Sequence, residues 1–189
     1  MALDKATTAL LVIDAIDSLP DVEDSVYDNE PTPEMAAFRN SLAKVVDLAH
    51  QAGVPVVYAN DAHIPGIDHE LELWAPHGIA GRTRIFPEVN VADSDLVITK
   101  RRYSGFFETD LDLTLRELGV DTVIAVGEDT NICVLHTLAD AYFLGYASVV
   151  VEDATRTFLC GTQEAGIEHF VKCYGSRIVS TDEIVAELA

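Results

Sequence analysis

Four residues with charged or nucleophilic side chains each stand at or just beyond the end of a short apolar segment. They are Asp14, Asp61, Lys100 and Cys133. Continuous apolar runs of this length are typical of strands that are buried on both faces of a parallel sheet. Ligands of such sheets bind outside the carboxyl ends of the strands. We therefore expect the four side chains to converge at one edge of a sheet.

A cysteine, an aspartate and a lysine at one edge can carry out nucleophilic catalysis. Asp14 can take the thiol proton of Cys133 and later protonate a leaving group, while Lys100 stabilises both the thiolate and the carboxylate. Cys133 lies in the first turn of a predicted helix, where the helix dipole favours a thiolate. The backbone amides of residues 128–133 can receive an oxyanion. This chemistry is acyl transfer to water through a thioester.

Each of these residues also has a simpler interpretation. His136 lies one helical turn after Cys133 and could act as the base in its place. Cys133 could be a small buried hydrophobic residue, Asp14 could cap a turn, and Lys100 could be a surface charge. The catalytic interpretation is favoured because the separate alternatives would all have to hold at once.

A second cluster of possible ligands follows the second predicted strand. Asp61 and His63 alternate along an extended segment, so their side chains point the same way. His69 and His77 follow in the same loop. Three imidazoles and one carboxylate suit Zn²⁺, with Mn²⁺ or Fe²⁺ as alternatives. We therefore predict a divalent metal site with an open position for water or substrate.

Strands and helices alternate along the chain, which predicts an α/β fold with a parallel sheet covered on both faces. Residues 15–32 and 61–94 are predicted to be loops, the second with at most a short helix. Thr130 or Asn131 is the expected N-cap of the helix that carries Cys133. The predicted strands are 8–14, 54–60, 95–100, 123–126, 146–151 and 177–179, and the predicted helices are 33–51, 110–118, 131–144, 162–173 and 181–188.

Composition limits the possible partners. The chain has 189 residues, with 32 acidic against 12 basic side chains and a formal net charge of −20. Such a field repels nucleic acid and anionic membranes, and it suggests a salt-rich cytoplasm that screens the surface charge. Three cysteines without a Cys-x-x-Cys pair indicate neither a disulfide framework nor a thiolate zinc site. We expect one domain over residues 1–189 and a cytoplasmic location.

Several segments resemble the isochorismatase-like cysteine hydrolases, and the nicotinamidases among them. The segments are Leu-Leu-Val-Ile-Asp14, Asp61-Ala-His63, Lys100 followed by Tyr-Ser-Gly-Phe-Phe, and Gly127-Glu-Asp-Thr-Asn-Ile-Cys133-Val. The resemblance implies a catalytic triad of Asp14, Lys100 and Cys133. It also implies a cis peptide before the nucleophile and an oxyanion hole made by the amides of Asp129 and Cys133. The implied fold is a Rossmann-like three-layer α-β-α arrangement with a six-stranded sheet, commonly in a homo-oligomer.

The resemblance also bears on the metal and the substrate. It implies that Asp61, His63, His69 and His77 bind an ion that holds the pyridine nitrogen of nicotinamide, with no organic cofactor. The expected pocket residues are Leu19, Trp74, Tyr103 and Phe106. Nicotinamidases usually have a glutamine and an aromatic residue shortly after the first aspartate, whereas this chain has Asp14-Ala-Ile-Asp17-Ser-Leu19. They also commonly have a cysteine after the last histidine, where this chain has Gly78. Three hypotheses remain: hydrolysis of nicotinamide, hydrolysis of a carbamoyl or ureido amide as in N-carbamoylsarcosine amidase, and ligand binding without catalysis.

Overall fold

The structure is a computed structural model that describes residues 3–19, 32–74 and 76–189. A short 3₁₀ turn, Lys5–Thr7, precedes the first strand, and π-helical turns, Thr130–Val134 and Phe170–Tyr174, adjoin two of the helices. The strands are β1 Thr8–Ile13, β2 Ile16–Ser18, β3 Val56–Asp61, β4 Thr83–Ile85, β5 Leu96–Lys100, β6 Thr122–Glu128, β7 Ala147–Arg156 and β8 Arg177–Val179. The helices are α1 Pro33–Ala52, α2 Glu70–Leu73, α3 Leu111–Glu117, α4 Leu135–Leu144, α5 Gln163–His169 and α6 Thr181–Leu188.

The six predicted strands form one parallel sheet in the order β5-β3-β1-β6-β7-β8. Numbered along the chain, these strands run 3-2-1-4-5-6, which is the doubly wound arrangement. The order reverses between β1 and β6, and a crevice opens at the carboxyl ends of these strands. This α/β fold confirms the predicted fold class.

The sheet separates two apolar cores because alternate residues of each buried strand point to opposite faces. On one face, Leu10 and Val12 of β1 pack with apolar residues of α1 and α6. On the other face, Leu11 and Ile13 pack with residues of α3 and α4. Both faces are therefore covered, which explains why the strands read as continuous apolar runs. None of the described helices is both long enough and apolar enough to span a membrane.

Two short strands lie in segments that were predicted to be loops. Strand β2 pairs antiparallel with β4, with Ile16 opposite Ile85.

Strand β7 continues to Arg156, beyond the predicted end at residue 151. The N-cap of the π-helical turn before α4 is Asp129 rather than Thr130 or Asn131, and its Oδ1 accepts a hydrogen bond from the Asn131 amide. Residues 20–31 of the predicted 15–32 loop lie outside the described residues.

Gly127 allows β6 and β1 to approach closely beside the carboxyl edge. Its φ is +119°, and a Cβ at this position would lie 1.9 Å from the Ile13 carbonyl oxygen. Gly127→Ala is therefore expected to lower the free energy of unfolding by at least about 3 kcal/mol. Gly145→Ala is the matched control, because Gly145 has a φ of +92° but no heavy atom near its added Cβ. It should cost about 1–2 kcal/mol. Equal losses in urea denaturation would contradict the steric argument.

Candidate active site

Lys100 lies between two carboxylates at the carboxyl edge of the sheet. Its Nζ is 2.7 Å from Asp14 Oδ2, forms an ion pair with Asp61 Oδ1, and lies 3.5 Å from Cys133 Sγ. All four residues are buried, and Lys100 is fully so. The structure therefore brings together the four residues that the sequence placed at strand ends.

Asp14 and Asp61 are also joined directly. The Asp61 amide donates a hydrogen bond of 2.7 Å to Asp14 Oδ1. Asp14 has a φ of +47°, which a residue with a side chain adopts at a local cost in energy. The turn at the end of β1 thereby aims this carboxylate at the end of β3. Asp61 thus contributes to the charge cluster around Lys100 as well as to the group of possible metal ligands.

Burial controls the protonation of this cluster. Desolvation raises the pKa of the Cys133 thiol well above its ordinary value, although the Lys100 ammonium lowers it. Desolvation and the neighbouring Asp61 raise the pKa of Asp14 to about 6, against the opposing effect of Lys100. Burial lowers the pKa of Lys100, but the two carboxylates raise it further, so this side chain is charged. Burial therefore favours the thiol form of Cys133, in opposition to the Lys100 ammonium.

The turn before Cys133 has an unusual backbone. The peptide bond between Glu128 and Asp129 is cis, in the position that the resemblance implied. The amides of Ile132 and Val134 both donate hydrogen bonds of 3.1 Å to the Asp129 carbonyl oxygen. Asp129 and Cys133, the expected oxyanion-hole residues, line the same pocket.

Three possible metal ligands are grouped beside this cluster. The ligand atoms of Asp61, His63 and His77 lie within 4.8 Å of one another, and all three residues are buried. His63 Nε2 is 3.5 Å from Asp61 Oδ2, and the rings of His63 and His77 are 4.8 Å apart. Within the part of the chain that the structure describes, neither ring nitrogen of His63 has a hydrogen-bond partner. Buried nitrogens in this state are suited to a metal ion.

The structure does not bring His69 into this group. His69 is exposed and precedes α2, whereas the next residue, Glu70, is buried. Glu70 Oε2 lies 3.6 Å from His63 Nε2. Burial raises the pKa of Glu70, against the opposing charge of His63. The polar side chain that lies beside the group of Asp61, His63 and His77 is therefore the carboxylate of Glu70 rather than the predicted imidazole of His69.

Gly78 leaves no room for a side chain next to Asp61. A Cβ at Gly78 would lie 2.5 Å from the Cβ of Asp61, and the φ of Gly78 is +53°. The Gly78 carbonyl oxygen accepts a hydrogen bond of 2.8 Å from the His63 amide. The close approach of these segments explains why glycine, and not cysteine, follows His77.

A narrow pocket opens onto Cys133. Two of the four expected residues, Trp74 and Tyr103, line it, and the Trp74 indole donates a hydrogen bond of 2.8 Å to the Tyr103 hydroxyl. The lining described here does not include the other two, Leu19 and Phe106. Phe106 packs instead on Tyr146 in the core. The described lining is Asp61, Trp74, His77, Tyr103, Asp129, Ile132, Cys133, Phe158 and Leu159, of which Ile132, Phe158 and Leu159 are not among the expected site residues.

His136, the alternative base, is engaged elsewhere. Its Nδ1 donates a hydrogen bond of 2.7 Å to the Ile132 carbonyl oxygen, and its ring lies 5.2 Å from that of Tyr103. Asp14, in contrast, shares the Lys100 ammonium with Cys133. The geometry therefore favours Asp14 as the base.

A doubly wound sheet with charged and nucleophilic side chains at its carboxyl edge is typical of α/β enzymes. The chain belongs to the isochorismatase family of hydrolases, because the Isochorismatase domain model matches residues 8–183. It is 32% identical over 166 residues to the uncharacterized isochorismatase family protein YwoC of Bacillus subtilis, which covers 86% of this chain and 85% of that protein. It is 30% identical over 181 residues to the ureidoacrylate amidohydrolase RutB of Methylobacterium radiotolerans, covering 82% of this chain and 69% of RutB.

Several solved structures share the fold at more than 25% sequence identity, and two of them have named activities of interest here. N-carbamoylsarcosine amidase of Thermoplasma acidophilum superposes with a TM-score of 0.80 at 34% identity, covering 93% of this chain and 97% of that one. Nicotinamidase PncA of Bacillus subtilis superposes with a TM-score of 0.77 at 28% identity, covering 92% and 99% respectively.

Proposed function

We propose that this protein is a cysteine amidohydrolase that converts nicotinamide to nicotinate and ammonia. The single observation that carries the proposal is the buried contact of Lys100 with Cys133 and Asp14, next to the Asp61, His63 and His77 group. The first group supplies a nucleophile and a base for an amide. The second provides a site that can hold a pyridine nitrogen through a metal.

In this mechanism Asp14 takes the thiol proton as Cys133 Sγ bonds to the amide carbonyl carbon. The oxyanion that forms accepts hydrogen bonds from the amides of Asp129 and Cys133. Asp14 then returns the proton to the amide nitrogen, the C–N bond breaks, and ammonia leaves a thioester on Cys133. Asp14 next takes a proton from water, whose oxygen bonds to the thioester carbonyl carbon; the C–S bond then breaks, the carboxylic acid leaves, and Asp14 returns the proton to Cys133 Sγ. Lys100 keeps this buried set of charges balanced throughout.

Asp61, His63 and His77 would hold the metal ion, with Glu70 beside them. The two buried ring nitrogens of His63 support this assignment, because an imidazole without hydrogen bonds is costly to bury unless it binds an ion. When bound, the metal supplies a Lewis-acid site that orients an uncharged nitrogen heterocycle. No part of the proton transfer described above depends on it.

The pocket favours an uncharged ring over a carbamoyl acid. N-Carbamoylsarcosine and ureidoacrylate each carry a carboxylate, which needs a cation or several amide donors when buried. No lysine or arginine belongs to the described pocket lining, and residues 20–31 contain none in their sequence. Aromatic and aliphatic side chains, among them Trp74 and Phe158, suit a planar ring.

Carbamoyl amide hydrolysis is the second candidate because of sequence identity. The chain is 34% identical to N-carbamoylsarcosine amidase but 28% identical to nicotinamidase PncA.

The test of both candidate functions is ammonia release from nicotinamide, N-carbamoylsarcosine and ureidoacrylate, with added Zn²⁺ or Mn²⁺ and the Cys133→Ala variant as the blank. We expect kcat/KM to be at least about tenfold higher for nicotinamide. Turnover of a carbamoyl acid alone would overturn the substrate assignment, and turnover of none would overturn the proposed activity.

Metal binding is tested by comparing two neighbouring histidines. His63→Ala is expected to lower metal affinity by about 100-fold or more, because it removes a buried ligand. His69→Ala should leave the metal stoichiometry unchanged, because His69 is exposed and lies outside the group. The measurement is metal content by elemental analysis after dialysis against a weak chelator. Equal metal loss in both variants, or full metal content in His63→Ala, would contradict the assignment.

A further inference from the structure

The Asp129 side chain holds together two parts of the pocket. It is buried, and four donor groups lie within hydrogen-bond distance of its carboxylate oxygens, although the Thr157 hydroxyl lies equally close to the Cys160 carbonyl oxygen. Oδ1 accepts from the Asn131 amide at 2.8 Å and from Thr157 Oγ1 at 2.9 Å. Oδ2 accepts from the amides of Phe158 and Leu159 at 2.8 and 2.9 Å. One carboxylate therefore joins the turn before Cys133 to the segment after β7.

The segment that Asp129 holds forms one side of the pocket. Phe158 and Leu159 both line the pocket that opens onto Cys133, and they belong to neither a helix nor a strand. The backbone amides of these two residues therefore take no part in the hydrogen bonds of a helix or a sheet. Their position depends on hydrogen bonds to a charged acceptor, which are stronger and more directional than neutral ones.

The neighbouring tethers do not bind the amides of Phe158 and Leu159, although Asn131 Nδ2 donates a hydrogen bond of 2.9 Å to Thr157 Oγ1. Asn131 Nδ2 donates to the carbonyl oxygens of Cys160 and Thr162, at 2.7 and 3.1 Å, and thus holds the chain beyond the pocket lining. The Arg156 guanidinium lies 4.4 Å from the centre of the Phe158 ring and so supports that side chain. In the described structure, the backbone of residues 158 and 159 is bound to the nucleophile turn through Asp129.

We propose that the Asp129 carboxylate is a positioning residue that fixes the Phe158–Leu159 wall relative to Cys133 and so sets the size of the acyl group that the pocket accepts. The proposal rests on the proposed function only for its substrates. The wall itself can be examined through the reactivity of Cys133, which needs no turnover.

Asp129→Asn is the principal variant, because it keeps the shape of the side chain and the backbone amide. An amide group presents N–H donors in place of one oxygen, so one pair of the four donors loses its acceptor. We expect kcat/KM for nicotinamide to fall by about tenfold or more. Activity on the larger quinoline-3-carboxamide should fall less, so the preference for the smaller ring should fall by about tenfold.

The second readout is alkylation of Cys133 in a Cys160→Ser, Cys173→Ser background, where it is the only thiol. Iodoacetamide and its N-phenyl derivative serve as small and large reagents. Asp129→Asn should raise the rate of the large reagent relative to the small one by about tenfold. Asp153→Asn is the control, because Asp153 similarly binds the amide and hydroxyl of Thr181 at the start of α6, away from the pocket. Asp153→Asn should change neither the ratio of activities on the two amides nor the ratio of the two alkylation rates.

Each outcome decides the proposal. Parallel loss of activity on both amides with an unchanged alkylation ratio would show that Asp129 only stabilises the fold, and so would equal effects of the two aspartate variants. Should Asp129→Asn not fold, Thr157→Val removes one donor to the same carboxylate, together with the contacts of this hydroxyl with Asn131 Nδ2 and the Cys160 carbonyl oxygen, and should shift both ratios in the same direction by about threefold. Unchanged ratios in that variant would overturn the proposal. Failure of the wild-type protein to hydrolyse any amide would contradict the proposed function, while the alkylation ratio would still test the wall.

Discussion

Replacing Cys133 with alanine is expected to lower kcat/KM for amide hydrolysis by at least about 10⁴-fold. The substitution removes the atom to which the acyl group would bond, and no other cysteine belongs to the described pocket lining. The folded state should persist, because Lys100 keeps its ion pairs with Asp14 and Asp61 when the thiol is absent. Steady-state ammonia release together with the thermal unfolding midpoint measures both effects.

Cys160→Ala and Cys173→Ala are the controls for this substitution. Both side chains are exposed and free, whereas Cys133 is buried. Each control should retain activity within about twofold, as surface changes generally do. Residual activity above about 1% in Cys133→Ala, with an intact fold, would rule out covalent catalysis by this thiol. A comparable loss in the Cys160 control would instead indicate an effect of the 157–162 segment.

The main strands and the grouping of Asp14, Lys100 and Cys133 could be predicted because their signals are local. Val123 to Val126 is a β-branched run that ends at Gly127, and β6 includes this segment. Parallel strands that alternate with helices must end at a common edge, so the strand ends alone brought Asp14, Lys100 and Cys133 together. Strands β2 and β4 were missed because each has three residues and its partner is distant in sequence.

The candidate metal ligands show that residue spacing in the sequence is not enough to predict every member of a site. A change of one residue turns a side chain by about 100° around a helix axis. The short helix α2 begins at Glu70, so His69 is exposed while Glu70 is buried near His63. The loop sequence alone does not show where this helical turn begins. Asp61 is expected at the same edge as Lys100, but its ion pair with Lys100 becomes clear only from the register in which these two residues pair.

Two further differences have electrostatic and backbone causes. The expected Cys133 thiolate rested on the helix dipole alone, without the desolvation that raises the pKa of a thiol buried in the fold. Phe158 and Leu159 were missed because β7 was predicted to end at residue 151. The polar residues Glu152 and Asp153 interrupt the apolar pattern, although β7 continues through them to Arg156. The pattern therefore does not indicate that the residues after Arg156 line the pocket.

Lys100→Met is expected to lower the free energy of unfolding by about 3–5 kcal/mol and to abolish hydrolysis. Methionine has a similar shape, but it leaves the carboxylates of Asp14 and Asp61 buried without their shared cation. Removing one partner of a buried ion pair costs far more than the pair contributes, because the remaining charge is not solvated. Urea denaturation at high ionic strength measures the loss, since salt screens surface charges but has little effect on buried ones.

Lys172→Met is the matched control, because Lys172 forms an exposed ion pair with Glu168 four residues earlier. Its loss should change the free energy of unfolding by no more than about 0.5 kcal/mol. A second change, Asp61→Asn, should restore part of the stability of Lys100→Met, since it removes one of the two uncompensated charges. Equal, small effects of the two lysine variants would show that the buried carboxylates do not need Lys100. The charge balance that the proposed mechanism assigns to this residue would then be wrong, even if Cys133 proved to be the nucleophile.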